Sequence, residues 1–538
     1  MTTADTPADI VIVGAGPTGL TLACQLLRRG VPCTVLDAAD APSDRSRAIG
    51  VSARSLEVLD ELGAATTLVE RGVRCTAAVF YSAGRVIGQV TPAAARHTRF
   101  PFMLAVPQSA TEVVLEQTLR DLGGTVERGH RVTGLDQDPD GVTLTVDGPG
   151  GTSTRRAGWV VGADGSHSTV RDLAGITVTG GRTDEMYVNV DAYVENGPGS
   201  GAGHYHFSPG AMTVIVPLAG GLHRVTAMVD PGQGTGALTV EEVDTLVAAR
   251  TGRGMRITGL RNPGWGIAKV RISTHVADTF HRGRVLLAGD AAHTYGPVGG
   301  QGMNGGIQDA HNLGWKLAFA AAGRAGPGLL ATYDTERRPA AHNALHHAAT
   351  QAKLGTVRPA PVRAVRDAAV RLLTATGLLD RKMAPTITQL DLDYAGSAVV
   401  TKGAGKRLPD TPVAGGTIHG LVRPDALTVL VLDPHRAAPG ALTDLADTLR
   451  EGFGDAVTVE PVWRTNGHDV VDGGGALHAH LGTGSPRVCV VRPDGHVGHL
   501  GALTDTAALR AHLRAVLGDP DRSPAAGRPA TRDHGAAT

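Results

Sequence analysis

Three glycines close the first apolar run of the chain: Gly14-Ala-Gly16-Pro17-Thr18-Gly19 follows Ile10-Val-Ile-Val13 without a break. A continuous β-branched run of this kind reads as a strand buried on both faces of a parallel sheet. Leu20 to Arg29 continues as a helix, with Arg28 and Arg29 in its last turn and Gly30 as its cap. Thr34-Val-Leu36 is the next strand, and it ends in Asp37, 18 residues after Gly19. Glycines so placed let the backbone approach a pyrophosphate at a helix N-terminus, and the acid accepts from ribose hydroxyls. The chemistry implied is dinucleotide binding. A nicotinamide and a flavin both remain open on this motif alone. Gly300-Gln-Gly302-Met303-Asn304-Gly305 repeats the glycine spacing, but no strand directly precedes it and no acid-ended strand follows. It is therefore not read as a second site of the same type.

Two further strands end at an acid. Trp159-Val-Val-Gly162-Ala-Asp164-Gly165 runs into a turn and reaches Arg171. Val285-Leu-Leu-Ala-Gly289-Asp290-Ala-Ala-His293 leads through Tyr295 and Pro297 to the glycine-rich stretch Gly299-Gly300-Gln-Gly302-Met303-Asn304, and Ile307 to Ala321 then reads as a helix. Asp164 could serve as a turn or helix cap, but its setting favours a cofactor role. His293 is expected to make a structural hydrogen bond rather than to act as an acid or base.

In order and spacing these three motifs resemble the signatures of the single-component (group A) FAD-dependent monooxygenases of the p-hydroxybenzoate hydroxylase fold. The resemblance covers residues 8–395. It continues more weakly to 517, where Val491-Arg-Pro-Asp-Gly-His496 is similar to the end of the longer aromatic polyketide hydroxylases and phenol hydroxylase. It implies a Rossmann-type α/β FAD domain (1–72, 104–178, 278–395) interleaved with a mixed-sheet substrate domain (73–103, 179–277). A thioredoxin-like α/β domain over 398–517 would follow, then a disordered tail over 518–538. It also implies non-covalent FAD, NADPH or NADH as co-substrate, dioxygen, and hydroxylation of an aromatic polyketide or other phenolic polycycle through a C4a-hydroperoxyflavin. Baeyer–Villiger or ring-cleaving oxygen insertion is the alternative on the same fold.

Position by position, the resemblance sets Gly14, Gly16, Pro17, Thr18 and Gly19 at the FAD pyrophosphate and Asp37 at the adenosine ribose. The family usually has Glu and then a basic residue there; this chain has Asp37-Ala38. Arg47 and Gln108 would lie near the flavin, and Asp290 would hydrogen-bond the ribityl chain. Pro297 and Gly300 to Asn304, with Met303 among them, would follow the isoalloxazine pyrimidine edge. Asp164 with Arg171 matches a motif tied to FAD and NADPH. Reduced flavin carries negative charge near N1 and C2=O, which the orphan N–H groups of a helix beginning near Gly302 would stabilise. The cofactor supplies the reactive atom, so no protein nucleophile and no metal is called for. His204, Tyr205 and His206, in a strand-like alternation, and Tyr295 are expected in the substrate pocket.

The remaining sequence fits this reading. At 538 residues two or three domains are expected. Lys+Arg and Asp+Glu are 51 each, which gives no electrostatic case for nucleic acid or an anionic membrane. No apolar run reaches membrane-spanning length and Met1 to Asp9 carries no signal-peptide pattern, so a cytoplasmic monomer or homodimer is the expectation. Cys24, Cys33, Cys75 and Cys489 form no CxxC, which excludes dithiol redox work in the C-terminal unit. Trp265-Gly-Ile-Ala does not match the WxWxIP of flavin halogenases, and the presence of Asp290 and the Gly-Gly-Gln-Gly stretch argues against a degenerate scaffold.

Overall fold

The first sheet has six short strands, ordered 281–282, 285–287, 159–162, 10–13, 34–36 and 126–127, of which the last five run parallel and the middle four are apolar. Ile10–Val13 pairs in parallel with Trp159–Gly162 on one side and Thr34–Leu36 on the other. All four side chains of Ile10–Val13 are buried, as a strand covered on both faces requires. The carboxyl ends of four strands meet at one edge, joined by Gly14 N to Leu36 O (2.7 Å), Ala163 N to Val13 O (2.8 Å) and Ala288 N to Gly162 O (2.9 Å). Helix Pro17–Leu27 leaves this edge with Pro at its first position, where the missing N–H costs nothing.

A second helix, Gln301–Ala321, packs on Pro17–Leu27 through small residues. A Cβ at Gly306 would stand 2.1 Å from Thr18 Oγ1, one at Gly289 2.4 Å from the same atom, and one at Gly314 2.9 Å from Gln25 Cβ. The helix begins six residues before the apolar periodicity at Ile307. Gly300, at φ +62°, turns the chain into it where a side chain would be strained. Helices Thr332–Gly355, Ala360–Ala375 and Leu378–Thr388 follow.

The second layer is a nine-stranded mixed sheet built on the long strand Val178–Glu195. One of its faces (Met186, Val188, Val190, Ile215, Val225, Ala227) is buried against helix Val240–Thr251 through Val243 and Val247. His293–Thr294 pairs with Val276 and His275 at its edge, so the loop after Asp290 is anchored to this sheet as well. An antiparallel meander, 131–138, 141–148 and 151–157, forms a further sheet that the sequence reading did not resolve.

The C-terminal unit has strand order 470–471, 457–463, 427–432, 487–491, 497–502. The first three are parallel and the last two form an antiparallel hairpin, with helices Pro439–Phe453, Ala476–Leu481 and Thr506–Leu517. This is the thioredoxin-like α/β arrangement without its dithiol. Cys489 lies fully buried among Leu and Val side chains, and burial pushes its thiol up to about 12. Cys489→Ser is expected to keep turnover within about twofold while lowering thermal stability modestly, because the hydroxyl must be desolvated. A selective loss of flavin reduction in a folded variant would show thiol chemistry there.

This computed structural model describes residues 10–44, 47–95, 97–230, 236–252, 254–262, 267–296, 299–413, 415–433, 439–463, 470–472, 475–481 and 485–519. The expectations placed on Met1 to Asp9, Trp265, Pro297 and the tail from 520 lie outside the described residues.

Candidate active site

Close backbone approach at the strand edge is enforced by glycine. Gly14 has φ +107°, and a Cβ on it would stand 2.3 Å from Ala163 O; one on Gly19 would stand 1.9 Å from Gly14 O. At Gly16 the situation reverses, since nothing lies within 4 Å of the position a Cβ would take. That opening faces the N-terminus of helix Pro17–Leu27, where no side chain caps the first turn. Thr18 uses its side chain in helix packing against Gly289 and Gly306. Its backbone N–H and that of Gly19 are the donors left for a ligand.

Asp37 accepts from Ala15 N at 2.6 Å and Ala39 N at 2.8 Å, fixing its carboxylate beside the glycine turn. Ala38 brings no charge, but Arg128, next to strand Val126–Glu127, places Nη1 3.7 Å from Asp37 Oδ2. The cation beside the acid thus comes from a neighbouring strand, and no sequence signal marked it.

Asp290 follows strand Val285–Leu287 in a short 3₁₀ turn. Its carboxylate is open to the cleft and makes no hydrogen bond among the described residues. The surrounding protein desolvates it and raises its pKa, against the opposing pull of His293 and Arg47. A Cβ on Gly302 would lie 3.8 Å from Asp290 Oδ1, so the acid sits at the first turn of helix Gln301–Ala321. That turn has neither a side-chain cap nor an acid of its own, and nothing lies within 4 Å of a Cβ on Gly300. Met303 is half-buried against the main core, while Asn304 is fully engaged. Asn304 Oδ1 accepts from Ser52 N (2.8 Å) and Nδ2 donates to Gly50 O (2.9 Å) and Gly300 O (2.6 Å).

Arg47 is exposed toward this cleft, close enough to act on both Asp290 and Glu112. Gln108 buttresses its segment: Oε1 accepts from Ala48 N (3.1 Å) and Nε2 donates to Glu112 Oε1 (2.8 Å). Glu112, a buried carboxyl whose pKa is raised by burial, is another member of the site that sequence reasoning missed.

Asp164 lies at the strand edge, but its carboxylate serves a local cap, accepting from Ser168 Oγ and from Val170 N at 3.1 Å. Arg171 is buried and donates to Ser166 O and Ala291 O, each at 3.2 Å. It therefore ties the turn after Asp164 to the Asp290 loop. His293 makes the structural bond expected of it, Nε2 to Asp309 Oδ2 at 2.6 Å, fully buried.

The alternation of strand Ala202–Ser208 divides the expected pocket residues. His204 and His206 share the face of Ile215 and Thr213, with His206 stacked on Tyr81 at 4.4 Å, and lie on the side covered by helix Val240–Thr251. The pleat sends successive side chains to opposite faces, so His204 and His206 do not share the face that bears Tyr205. Tyr205 lies on the other face, in a cluster with Phe207, Met212, Val214, Met228 and Ile272. The end of helix Thr332–Gly355 covers that cluster: a Cβ on Gly355 would stand 3.0 Å from Met212 Sδ and 3.3 Å from the Phe207 ring. Tyr295 stacks on His293 at 5.1 Å and lines a cavity of about 330 Å³ with Gln301, Gln308, Asn343, His347 and Gln389.

The residues fit an FAD molecule. One end of the cleft offers an acid and a glycine cradle at a helix N-terminus. The other offers a carboxylate with no hydrogen-bond partner among the described residues, at the uncapped N-terminus of a second helix, beside an apolar sheet face. Among the described residues no cluster of His, Cys, Asp and Glu could hold a metal ion, and no helix is long and apolar enough to cross a membrane.

A match to the FAD binding domain family spans residues 7–348. The chain is 35% identical over 525 residues to the 12-dehydrotetracycline 5-monooxygenase/anhydrotetracycline 6-monooxygenase of Streptomyces rimosus, covering 95% of this chain and 99% of that protein. It is 31% identical to the rifampicin monooxygenase of Rhodococcus hoagii, covering 92% and 95%. Among solved structures, the anhydrotetracycline hydroxylase of Streptomyces rimosus superposes with a TM-score of 0.76 at 33% identity over 95% of this chain and 99% of that one. An aklavinone-11 hydroxylase in complex with FAD and aklavinone gives 0.75 at 26% identity over 96% and 100%. With glycine cradle, open acid and helix N-terminus assembled on this fold, the chain belongs to the FAD-binding group A family and is a flavin-dependent monooxygenase.

Proposed function

We propose that this enzyme uses FAD and NAD(P)H to hydroxylate an aromatic polyketide or another phenolic polycycle. The observation that carries the reading is the open Asp290 carboxylate at the uncapped N-terminus of helix Gln301–Ala321, next to the apolar sheet face that bears Tyr205. The three relatives named above for tetracycline intermediates, rifampicin and aklavinone support a large ring system as substrate.

In this reading Gly14, Gly16 and the N–H groups of Thr18 and Gly19 hold the pyrophosphate, and Asp37 holds the adenosine ribose. Asp290 accepts from the ribityl chain, and Arg47 and Gln108 border the ring system. When bound, FAD would supply the oxygen-activating chemistry, with NAD(P)H as the source of electrons. The backbone N–H groups of Gly302 and Met303 stabilise negative charge at the pyrimidine edge without a counter-ion side chain. Tyr205, Phe207, Met212, Val214, Met228 and Ile272 hold the polycycle and exclude water from the reacting edge. Burial pushes the Tyr205 hydroxyl up to about 12, so it stays protonated and available as a donor to a phenolic substrate.

The test is turnover of candidate phenolic polycycles with NADPH under labelled dioxygen. One labelled oxygen in a new aromatic hydroxyl is expected. Label in a lactone or ester would replace hydroxylation with ring insertion, and NADPH oxidation with no oxygenated product from any polycycle would refute the reading.

A further inference from the structure

Val491-Arg-Pro-Asp-Gly-His496 belongs to the C-terminal unit, yet its charged side chains are buried against the helices of the FAD domain. Arg492 donates from Nη1 to Glu336 Oε1 (2.7 Å) and from Nη2 to Glu336 Oε2 (2.8 Å), a two-pronged pair with neither side chain more than 1% exposed. Lys316 Nζ reaches the same Glu336 Oε2 at 2.7 Å. Asp494 Oδ2 accepts from Trp315 Nε1 (3.1 Å) and Asn312 Nδ2 (3.2 Å), and its carboxylate also pairs with Arg492. Two cations and two carboxylates are thus neutralised with almost no water, across a joint between distant parts of the sequence.

The network continues toward the cofactor cleft. Arg337, next to Glu336, donates to Asp309 Oδ1 (2.7 Å), to Gly305 O (3.2 Å) and to the Tyr394 hydroxyl (3.1 Å). The Arg492 guanidinium lies over the Tyr394 ring at 5.1 Å, so one tyrosine links both halves. Asp309 then holds Gly289 N at 3.0 Å and His293 at 2.6 Å, on either side of Asp290. A second route leaves from the Asp494 carbonyl, which accepts from Arg54 Nη2 at 2.6 Å. Arg54 sits on helix Ala53–Asp60, whose N-cap residue Ser52 bonds Asn304 at the start of helix Gln301–Ala321.

We propose that Arg492 and Asp494 are positioning residues for the cofactor site, acting through Glu336–Arg337–Asp309 on the Asp290 loop and through Arg54–Ser52 on the first turn of helix Gln301–Ala321. This rests on the reading that FAD occupies that cleft. It assigns the C-terminal unit the task of fixing, from behind, the acid and the helix N-terminus that meet the flavin. Buried charges held by several partners leave few alternative arrangements, and removing one partner leaves the others uncompensated.

The experiment is FAD titration onto the full-length apoprotein, followed by flavin fluorescence, with the visible spectrum and midpoint potential of the loaded protein and thermal unfolding recorded alongside. Asp494→Asn is expected to weaken FAD binding about fivefold or more and to shift the flavin bands and potential, at temperatures where the variant is still folded. Arg492→Lys keeps the charge but loses the fork, and an intermediate effect of about twofold to threefold is expected. If Asp494→Asn yields no folded protein, Arg492→Lys carries the same comparison. Lower melting temperatures with FAD affinity, spectrum and potential unchanged in both variants would show a mere structural joint and overturn the proposal. Failure of the wild-type protein to bind FAD would instead overturn the cofactor reading, and the proposal with it.

Discussion

Asp290→Ala is expected to purify with most of its flavin missing, while its fold remains intact. Among the described residues Asp290 has no hydrogen-bond partner to lose, so the substitution removes little native structure. It even relieves a desolvated carboxylate, since burial raises the Asp290 pKa. What disappears is the acceptor proposed for the ribityl chain. Loss of a charge-assisted hydrogen bond to an enclosed ligand costs about 1.5–3 kcal/mol, roughly tenfold or more in affinity. Asp290→Asn retains an acceptor oxygen and should fall between the two. The measurement is flavin absorbance per protein after dialysis, checked by titration of FAD onto the apoprotein. Full flavin retention in Asp290→Ala would remove Asp290 from the site.

The part of this site closest to the sequence is the part where one residue type has one feasible conformation. Gly14 and Gly19 are dictated by backbone contacts of 2.3 and 1.9 Å at the Cβ position, so the glycine spacing and the buried strand before it announce the turn. Asp290 was legible for a similar reason: an acid at the end of an apolar strand, followed by glycines, has little else to do. Residues brought in from distant segments were not legible. Arg128 supplies the cation beside Asp37 from a strand about ninety residues away, where the neighbouring Ala38 had suggested none. Glu112 and Asp309 read as ordinary helix acids, because nothing in a single sequence tells which face of a helix meets another charge. His204 and His206 are a different case. The period-two pattern was correct, but choosing which set faces the cleft needs the neighbouring strands, and the pairing of His204 with Ile215 puts the histidines under helix Val240–Thr251. The Arg492–Asp494 motif was visible as a resemblance, while its task depends wholly on tertiary contact with Lys316 and Glu336.

Asp309→Asn is expected to be the most destabilising single-atom change near the site, and to alter how stability depends on acid. Asp309 is fully buried and accepts from Gly289 N at 3.0 Å, His293 Nε2 at 2.6 Å and Arg337 Nε at 2.7 Å. Burial alone would raise its pKa, but His293 and Arg337 outweigh that and hold the carboxyl at about 2, against an ordinary 3.8. The amide keeps the shape but leaves the buried Arg337 guanidinium without its counter-charge. Breaking a buried pair by neutralising one partner costs about 3–5 kcal/mol. That corresponds to a fall of roughly 10 °C in melting temperature for a domain of this size class. The sign of the pH effect follows from the depressed pKa: the stabilisation is complete above the ordinary carboxylate range and is lost as pH falls from about 4 through 2. Across that window the wild-type protein should lose roughly 2 kcal/mol from this group alone, and Asp309→Asn should lack that component of the slope. Thermal unfolding of both proteins at pH 7, 5, 4 and 3 makes the comparison. A variant whose melting temperature runs parallel to the wild type down to pH 3 would mean that Asp309 does not carry the charge that holds Arg337, His293 and the Asp290 loop together.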